Sequence, residues 1–164
     1  MRYLVILLFP ILLFADPALI VKVTNVYDGD FISGIDMKTL KPVGIRLWGI
    51  DAAELEQPYG VTAMVYLKSL VISNVVTVVP MGTDPFGRII GMVRVNNTNV
   101  NHMMIQEGCA WQYDIGDKEI EYTFQFKILE SEARMHKRGL WGERSPQSPF
   151  DFRNINYKQW KKKK

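Results

Sequence analysis

Arg46-Leu47-Trp48-Gly49-Ile50-Asp51-Ala52-Ala53-Glu54 is the most informative stretch of this 164-residue chain. It overlaps a segment, Val43 to Ile50, in which apolar side chains alternate with Arg46 and Trp48. A period of two is typical of a strand with one buried face, so this segment is predicted to be the third strand of the fold. Two carboxylates follow at its end. Taken alone, Asp51-x-x-Glu54 is typical of the start of a helix. Whether these carboxylates have a chemical role therefore depends on the other segments of the chain.

The residues before this strand predict a β-hairpin. Leu19 to Val26 is rich in β-branched residues, and Phe31 to Ile35 reads as the returning strand. Asp28-Gly29-Asp30 lies between them and is a strong turn signal. A turn is the ordinary explanation of this tripeptide. The turn also places Asp30 directly before the returning strand.

The residues after Glu54 predict three helices and two further strands. Those elements are a helix from after Gly60 to Asn74, strands Val75–Val79 and Arg88–Val95, a helix His102–Glu107 with Asn101 as N-cap, and a helix Lys118–Arg138. The last helix competes with a strand-like alternation from Tyr122 to Ile128, but its Glu, Lys and Ala content favours a helix. Five strands with antiparallel connections predict a small closed or nearly closed barrel, because closure leaves no exposed edge. The expected fold class is therefore α+β, mainly β, with about three α-helices.

The two ends of the chain differ from its body. Tyr3 to Phe14 is uninterruptedly apolar after Arg2, and about 12 such residues are too few to span a bilayer, so residues 1–15 are predicted to be a secretory signal. The alternative is an uncleaved membrane anchor. Residues 16–149 form the predicted folded domain, and residues 150–164 a basic C-terminal tail. The protein is accordingly expected to be exported, to the periplasm or beyond the cell.

Charge and composition restrict the possible chemistry. The net charge is +3, but five lysines lie in the last seven residues, and without them and Arg2 the chain has 14 basic against 17 acidic groups. The body therefore has no broad positive field and must bind an acidic substrate through local cations. One Cys and two His exclude an intrachain disulfide and a multi-Cys zinc site. Any metal ion would be held mainly by oxygen ligands.

Several short motifs, in this order and spacing, resemble the staphylococcal nuclease family over Val21 to Trp141. They are Asp28-Gly29-Asp30, the Arg46–Glu54 run, Pro58-Tyr59-Gly60, Asp84-Pro85-Phe86-Gly87-Arg88, Asn101, Ala110-Trp111 and Gly139-Leu140-Trp141. The resemblance implies an OB-like five-stranded barrel, a fold suited to single-stranded nucleic acid. It also implies a Ca²⁺-dependent nuclease that hydrolyses phosphodiester bonds of DNA and RNA and leaves 3′-phosphate ends. A monomer without an obligate protein partner is expected.

The resemblance also assigns roles to individual residues. Asp30 and Asp51 are implied to be the side-chain Ca²⁺ ligands, with the Ala52 carbonyl as a third, and Asp28 supports them from nearby. Glu54 is implied to activate the attacking water. The remaining implied roles are phosphate binding by Arg46 and Arg88 and contact with the nucleotide by Tyr113.

The sequence departs from the family pattern at Phe31, where Thr is usual, and at Ala53, where Pro is usual. Neither change removes a charge, so both bear on efficiency and metal affinity rather than on the chemistry. Two alternatives remain open: a catalytically weak nucleic-acid-binding module of the same fold, and a membrane-tethered interaction protein that uses the apolar N-terminus and the basic tail. Retention of the acidic residues Asp30, Asp51 and Glu54 argues against mere binding.

Overall fold

The computed structural model describes residues 18–113 and 120–162. The elements run in the order β1 (Leu19–Val26), β2 (Phe31–Asp36), β3 (Pro42–Leu47), β4 (Ile50–Ala52), α1 (Gly60–Val71), β5 (Val75–Thr83), β6 (Ile89–Val95), β7 (Thr98–Asn99), α2 (Val100–Gln106), β8 (Ala110–Gln112), α3 (Ile120–Met135), a 3-10 helix (Gly139–Gly142) and α4 (Pro149–Lys162). The predicted signal segment lies outside the described residues. No helix of the described part of the chain has both the length and the apolar character needed to cross a membrane.

Five strands close into a barrel, which confirms the predicted OB-like α+β fold. The sheet order is β3-β2-β1-β5-β6-β7, and a parallel pairing between β3 and β6 closes the five strands β3, β2, β1, β5 and β6 into the barrel, with β7 paired to β6 outside this ring. In that pairing Ile45 lies opposite Ile89 and Leu47 opposite Gly91, and the Trp48 N–H continues the closure by donating to the Gly91 carbonyl over 2.9 Å. Closure satisfies the backbone groups that an open edge would expose.

The core fills the barrel and extends under the helices. Its members are buried apolar side chains from every barrel strand and from α1, α2 and α3, including Val21, Ile32, Ile45, Val76, Val93, Leu67, Met104 and Phe126. Phe126, on α3, is fully buried and lies 5.8 Å from the Trp48 ring, centroid to centroid. The alternation from Tyr122 to Ile128 therefore belongs to a helix, as predicted.

Two local expectations differ from the structure. The predicted third strand, Val43 to Ile50, is two strands, because Gly49 has a φ of +73° and turns the chain between β3 and β4. Asn101 is inside α2, and Asn99 is the N-cap, accepting a hydrogen bond from the His102 N–H. Asn101 is fully buried: its side-chain oxygen accepts from the Val93 N–H over 2.9 Å, and its amide donates to the Trp48 carbonyl over 2.8 Å. It joins α2 to the barrel instead of capping the helix.

The described residues contain four α-helices, one more than the expected three. Residues 150–164 were expected to form a tail, but the described part of that segment, residues 150–162, lies entirely in the helix α4, Pro149–Lys162. Ser148 starts this helix: its hydroxyl accepts from the Asp151 N–H over 3.1 Å and donates to the Asp151 carboxylate over 2.6 Å. This reciprocal cap explains why a helix forms immediately after Pro146 and Gln147.

Candidate active site

The predicted site residues come together at one end of the barrel. Phe31, the first residue of β2, pairs with Arg46 on β3, and the Asp30 carbonyl accepts from the Leu47 N–H over 2.8 Å. Asp30 therefore lies next to Arg46 although 16 residues separate them. β4 follows after the Gly49 turn and places Asp51 on the same side.

Asp30 is buried at the centre of this group. Its side chain is 3% exposed; one oxygen accepts from the Arg46 guanidinium over 2.7 Å, and the other accepts from the Ala52 N–H over 2.9 Å. The turn fits closely against β4, since a Cβ on Gly29 would lie 2.5 Å from the Ala52 Cβ. Burial raises the pKa of Asp30 to about 8, against the opposing effect of Arg46. A carboxylate this deep in the protein is costly without more positive charge nearby.

Arg46 joins the two predicted metal ligands. One of its Nη atoms donates to Asp30 and the other donates to Asp51 over 2.9 Å. Burial acts to lower the pKa of Arg46, but the charges of Asp30 and Asp51 outweigh it and raise the pKa. Asp28 lies beside Asp30, and its carboxylate accepts from the Asp30 N–H over 2.9 Å. Asp28 thus fixes the turn that carries Asp30.

Glu54 is held at the edge of the group by a residue that sequence reasoning missed. The buried Gln57 side chain accepts from the Glu54 N–H over 2.8 Å, while the Gln57 N–H donates to the Glu54 carbonyl over 2.9 Å. Its amide also donates to the Gln147 carbonyl over 3.1 Å, which ties the Glu54 loop to the segment before α4. In the sequence, Gln57 differs from other glutamines only by its position next to the Pro58-Tyr59-Gly60 motif, and that position does not predict a contact with Glu54.

Arg153 is the second residue that the sequence did not single out. From α4, its Nη2 donates to one Asp51 oxygen over 2.9 Å, and its Nη1 lies 3.2 Å from the other Asp51 oxygen and 2.7 Å from Glu54. These hydrogen bonds, ahead of the opposing effect of burial, raise the pKa of Arg153. Asp51 and Glu54, a predicted ligand and the predicted base, therefore share one guanidinium.

Arg88 lies in the same cleft but not in the same ion-pair network. Its Nε donates to Asp84 over 2.5 Å, and its guanidinium carbon is 4.8 Å from the centre of the Phe31 ring and 5.7 Å from that of Phe86. Burial acts to raise the pKa of Asp84, but the hydrogen bonds from Arg88 and Phe86 lower it. Arg88 is therefore oriented by one carboxylate and two aromatic rings.

The cleft between these groups has a volume of about 380 Å³ and is open to solvent. Arg46, Arg88 and Arg153 all line it, together with Tyr113 and Phe86. Tyr113 is half exposed, and its N–H donates to the Gly49 carbonyl over 2.9 Å. The structure thus brings Tyr113 to the cleft that the three arginines line, and its backbone contact with Gly49 holds it there.

The donor set suits a hard divalent cation. Asp30 and Asp51 are both nearly inaccessible, and their oxygens accept hydrogen bonds from two guanidinium groups, so cationic groups already lie against both side chains. Among residues 18–113 and 120–162, no three His, Cys, Asp or Glu side chains gather as a potential metal site. The predicted set, two carboxylates with the Ala52 carbonyl, would therefore need water as further ligands, as Ca²⁺ commonly accepts.

Three arginines line one cleft at the end of a closed barrel, and two of them pair with the carboxylates next to it, an arrangement equipped for phosphate-ester chemistry. Residues 44–143 match the family described as staphylococcal nuclease homologue. The chain is 39% identical over 136 residues to an Escherichia coli protein described as an uncharacterized endonuclease, covering 81% of this chain and 84% of the relative. It is 32% identical over 145 residues to the micrococcal nuclease of Shigella flexneri, covering 82% and 80%. A rice protein described as probable staphylococcal-like nuclease CAN2 is 38% identical over 109 residues, 66% of this chain and 28% of that protein.

This chain belongs to the staphylococcal nuclease family, and it is a nuclease. The predicted family and fold are therefore confirmed. Its substrate is nucleic acid, as the family implies. The roles given above to individual residues stay predictions.

Proposed function

We propose that this nuclease is Ca²⁺-dependent, that it hydrolyses phosphodiester bonds in both DNA and RNA, and that it leaves 3′-phosphate ends. The observation that carries the proposal is the convergence of Asp30, Asp51 and Glu54 with Arg46 beside a cleft that Arg88 also lines. A protein that only binds nucleic acid would not need carboxylates among the arginines, because carboxylates repel the phosphate groups. A hydrolytic site needs them, for cation binding and for proton transfer.

Each side chain then has a distinct task. Glu54, which is partly exposed, accepts a proton from a water molecule that attacks phosphorus. Arg46 and Arg88 donate hydrogen bonds to the phosphate oxygens as negative charge grows in the five-coordinate transition state. Arg88 also favours departure of the 5′ oxygen, so the phosphate stays on the 3′ side. Positioning and charge stabilisation of this kind lower a barrier by about 3–4 kcal/mol for each donor.

A Ca²⁺ ion held by Asp30, Asp51 and the Ala52 carbonyl would polarise the phosphate as a Lewis acid. Oxygen ligands, and a ligand set completed by water, favour Ca²⁺, which tolerates irregular coordination. Mg²⁺ requires stricter octahedral geometry and shorter distances. We therefore expect Mg²⁺ to bind and to support little turnover.

The preferred substrate form is expected to be single-stranded. Tyr113 is half exposed at the cleft, and Phe86, which also lines the cleft, is 84% exposed. Aromatic rings beside a cationic cleft suit unpaired bases, which stack on any exposed π-face. Export through residues 1–15, and a monomeric state, complete the proposal.

The test uses purified residues 16–164 with denatured DNA and RNA, in Ca²⁺ or in a calcium chelator. Cleavage in Ca²⁺ alone, with products that become labelled at their 3′ ends only after phosphatase treatment, is the expected result. Full activity in the chelator would refute the metal assignment, and 5′-phosphate products would refute the assigned leaving group.

A matched pair of variants tests Glu54. Glu54→Gln should lower turnover by about two orders of magnitude or more, the range for loss of a general base. Glu56→Gln is the control, since Glu56 is an exposed carboxylate two residues away. Equal activity of the two variants would show that Glu54 is not the base.

A further inference from the structure

Arg153 makes more contacts with the acidic group than an ordinary surface residue makes. Its guanidinium lies against both oxygens of Asp51, at 2.9 and 3.2 Å, and against Glu54 at 2.7 Å. Asp51 is 5% exposed, so this is a bidentate pair with a buried carboxylate, although the Arg153 side chain itself is 43% exposed. A bidentate, charge-assisted pair of this kind is stronger and more directional than a single surface contact.

Contacts other than its own ion pairs also fix the position of Arg153. The Ser148–Asp151 cap starts α4 just before it, and the Gln57 amide holds the Gln147 carbonyl next to the Glu54 loop. Arg153 lies in the second turn of α4, and α4 starts beside the loop that carries Glu54. The ion pair is thus a built part of the fold.

The contacts of Arg153 fall on atoms that a divalent cation would also use. Asp51 already accepts from Arg46 through one oxygen, and Arg153 adds contacts to both. Glu54 is engaged at the same time. A cation that binds Asp51 must therefore compete with Arg153 for the same lone pairs, and it brings two positive charges next to a third.

We propose that Arg153 is the resident counter-ion of Asp51 and Glu54, and that its displacement sets the divalent-cation affinity of the site. The proposal rests on the proposed function, in which Asp51 is a cation ligand and Glu54 the base. While the pair is formed, Asp51 is neutralised and Glu54 is held by a hydrogen-bond donor. Cation binding releases Arg153, which frees Glu54 to accept a proton.

The test measures Ca²⁺ binding by calorimetry to residues 16–164 and to Arg153→Ala, with Arg144→Ala as the control. Arg144 is an exposed arginine nearby in the chain, so its replacement changes the net charge equally. Arg153→Ala should bind Ca²⁺ about tenfold more tightly, a modest factor because solvent screens the half-exposed guanidinium. Arg144→Ala should bind as the wild type does.

The expected direction separates competition from structural damage, because a damaged site would bind Ca²⁺ less tightly. Arg153→Lys should fall between the wild type and Arg153→Ala, since Lys keeps the charge but lacks the planar fork. This variant also serves if Arg153→Ala does not fold. In nuclease assays, Arg153→Ala should need less Ca²⁺ for half-maximal rate.

Unchanged or weaker Ca²⁺ binding by Arg153→Ala would overturn the proposal, and so would an absence of Ca²⁺ binding by all the proteins. Failure of the proposed function has a different signature. In that case Arg153→Ala would still bind Ca²⁺ more tightly, but no variant would cleave denatured DNA at saturating Ca²⁺.

Discussion

Replacement of Asp30 by asparagine should change how the stability of the cation-free protein depends on pH. Burial raises the pKa of Asp30 to about 8 in the folded protein, from an ordinary value of 3.8. Between these values the folded protein holds a proton that the unfolded chain releases. The stability that Asp30 contributes is therefore complete below pH 3.8 and is lost as pH rises toward about 8.

The size of this effect follows from linkage. One proton of difference changes the free energy of unfolding by about 1.4 kcal/mol for each pH unit, so Asp30 should account for a loss of about 3 kcal/mol between pH 5 and pH 7. In Asp30→Asn the side-chain amide cannot ionise, but it can still accept from the Ala52 N–H or face Arg46. Titrating groups that do not interact with Asp30 are common to both proteins and cancel in the difference.

The assay is urea unfolding of wild type and Asp30→Asn at several pH values from 5 to 7, in a calcium chelator. The difference in unfolding free energy, variant minus wild type, should become more positive by about 1.4 kcal/mol for each pH unit. Saturating Ca²⁺ should remove much of this trend in the wild type, because a bound cation stabilises the ionised carboxyl. Two stability curves that run parallel from pH 5 to 7 would show that Asp30 is ionised throughout and that Arg46 outweighs its burial.

Three further variants test other parts of the structure. Arg88→Lys should reduce kcat by about tenfold or more with KM changed less, because Lys lacks the planar fork; steady-state kinetics with near-normal turnover would exclude a bidentate contact. Asn101→Ala should lower the free energy of unfolding by about 2–4 kcal/mol in urea, because it leaves the Val93 N–H and the Trp48 carbonyl unpaired; a loss below about 0.5 kcal/mol would contradict this. Deletion of residues 158–164 keeps Arg153 and removes five lysines; it should raise KM at low salt and reduce the salt dependence of kcat/KM by about 0.7–0.9 log units per lost phosphate contact, and identical salt slopes would exclude contact of these lysines with the substrate.

Most of the barrel could be predicted from the sequence because its signals are local. The bounds of β1 agree with the β-branched run Leu19 to Val26, and the Asp28-Gly29-Asp30 turn correctly separates β1 from β2. The break between β3 and β4 was missed because the apolar residues Trp48 and Ile50 extend the strand-like composition, although the strict alternation ends at Leu47. Only the positive φ at Gly49 shows that the chain turns there.

The missed parts of the site depend on contacts distant in sequence. Arg153 meets Asp51 across 102 residues, and Gln57 meets Gln147 across 90. A lysine-rich end predicts a solvated tail, because charge runs do not pack, but the Ser148 cap and the acidic cluster stabilise a helix there. Hydrophobic periodicity and short motifs predict local structure, but they do not predict an ion pair between two elements distant in sequence, such as Arg153 on α4 and Asp51 on β4.

Phe31 shows how the site accommodates a departure from its family's pattern. The ring does not leave a gap where a Thr hydroxyl is usual: it stacks on Tyr27 with 4.6 Å between centroids and 17° between planes, and it lies under the Arg88 guanidinium. Gly44 on the neighbouring strand permits this, since a Cβ there would lie 3.2 Å from the ring and 3.4 Å from the Arg88 side chain. Within the described residues, Arg88 pairs with a carboxylate only through Nε, whereas both Nη atoms of Arg46 are engaged by carboxylates. In the proposed roles, Arg88 can therefore bind a phosphate through its Nη atoms without giving up an ion pair, whereas Arg46 must share its Nη donors between the phosphate and the carboxylates of Asp30 and Asp51.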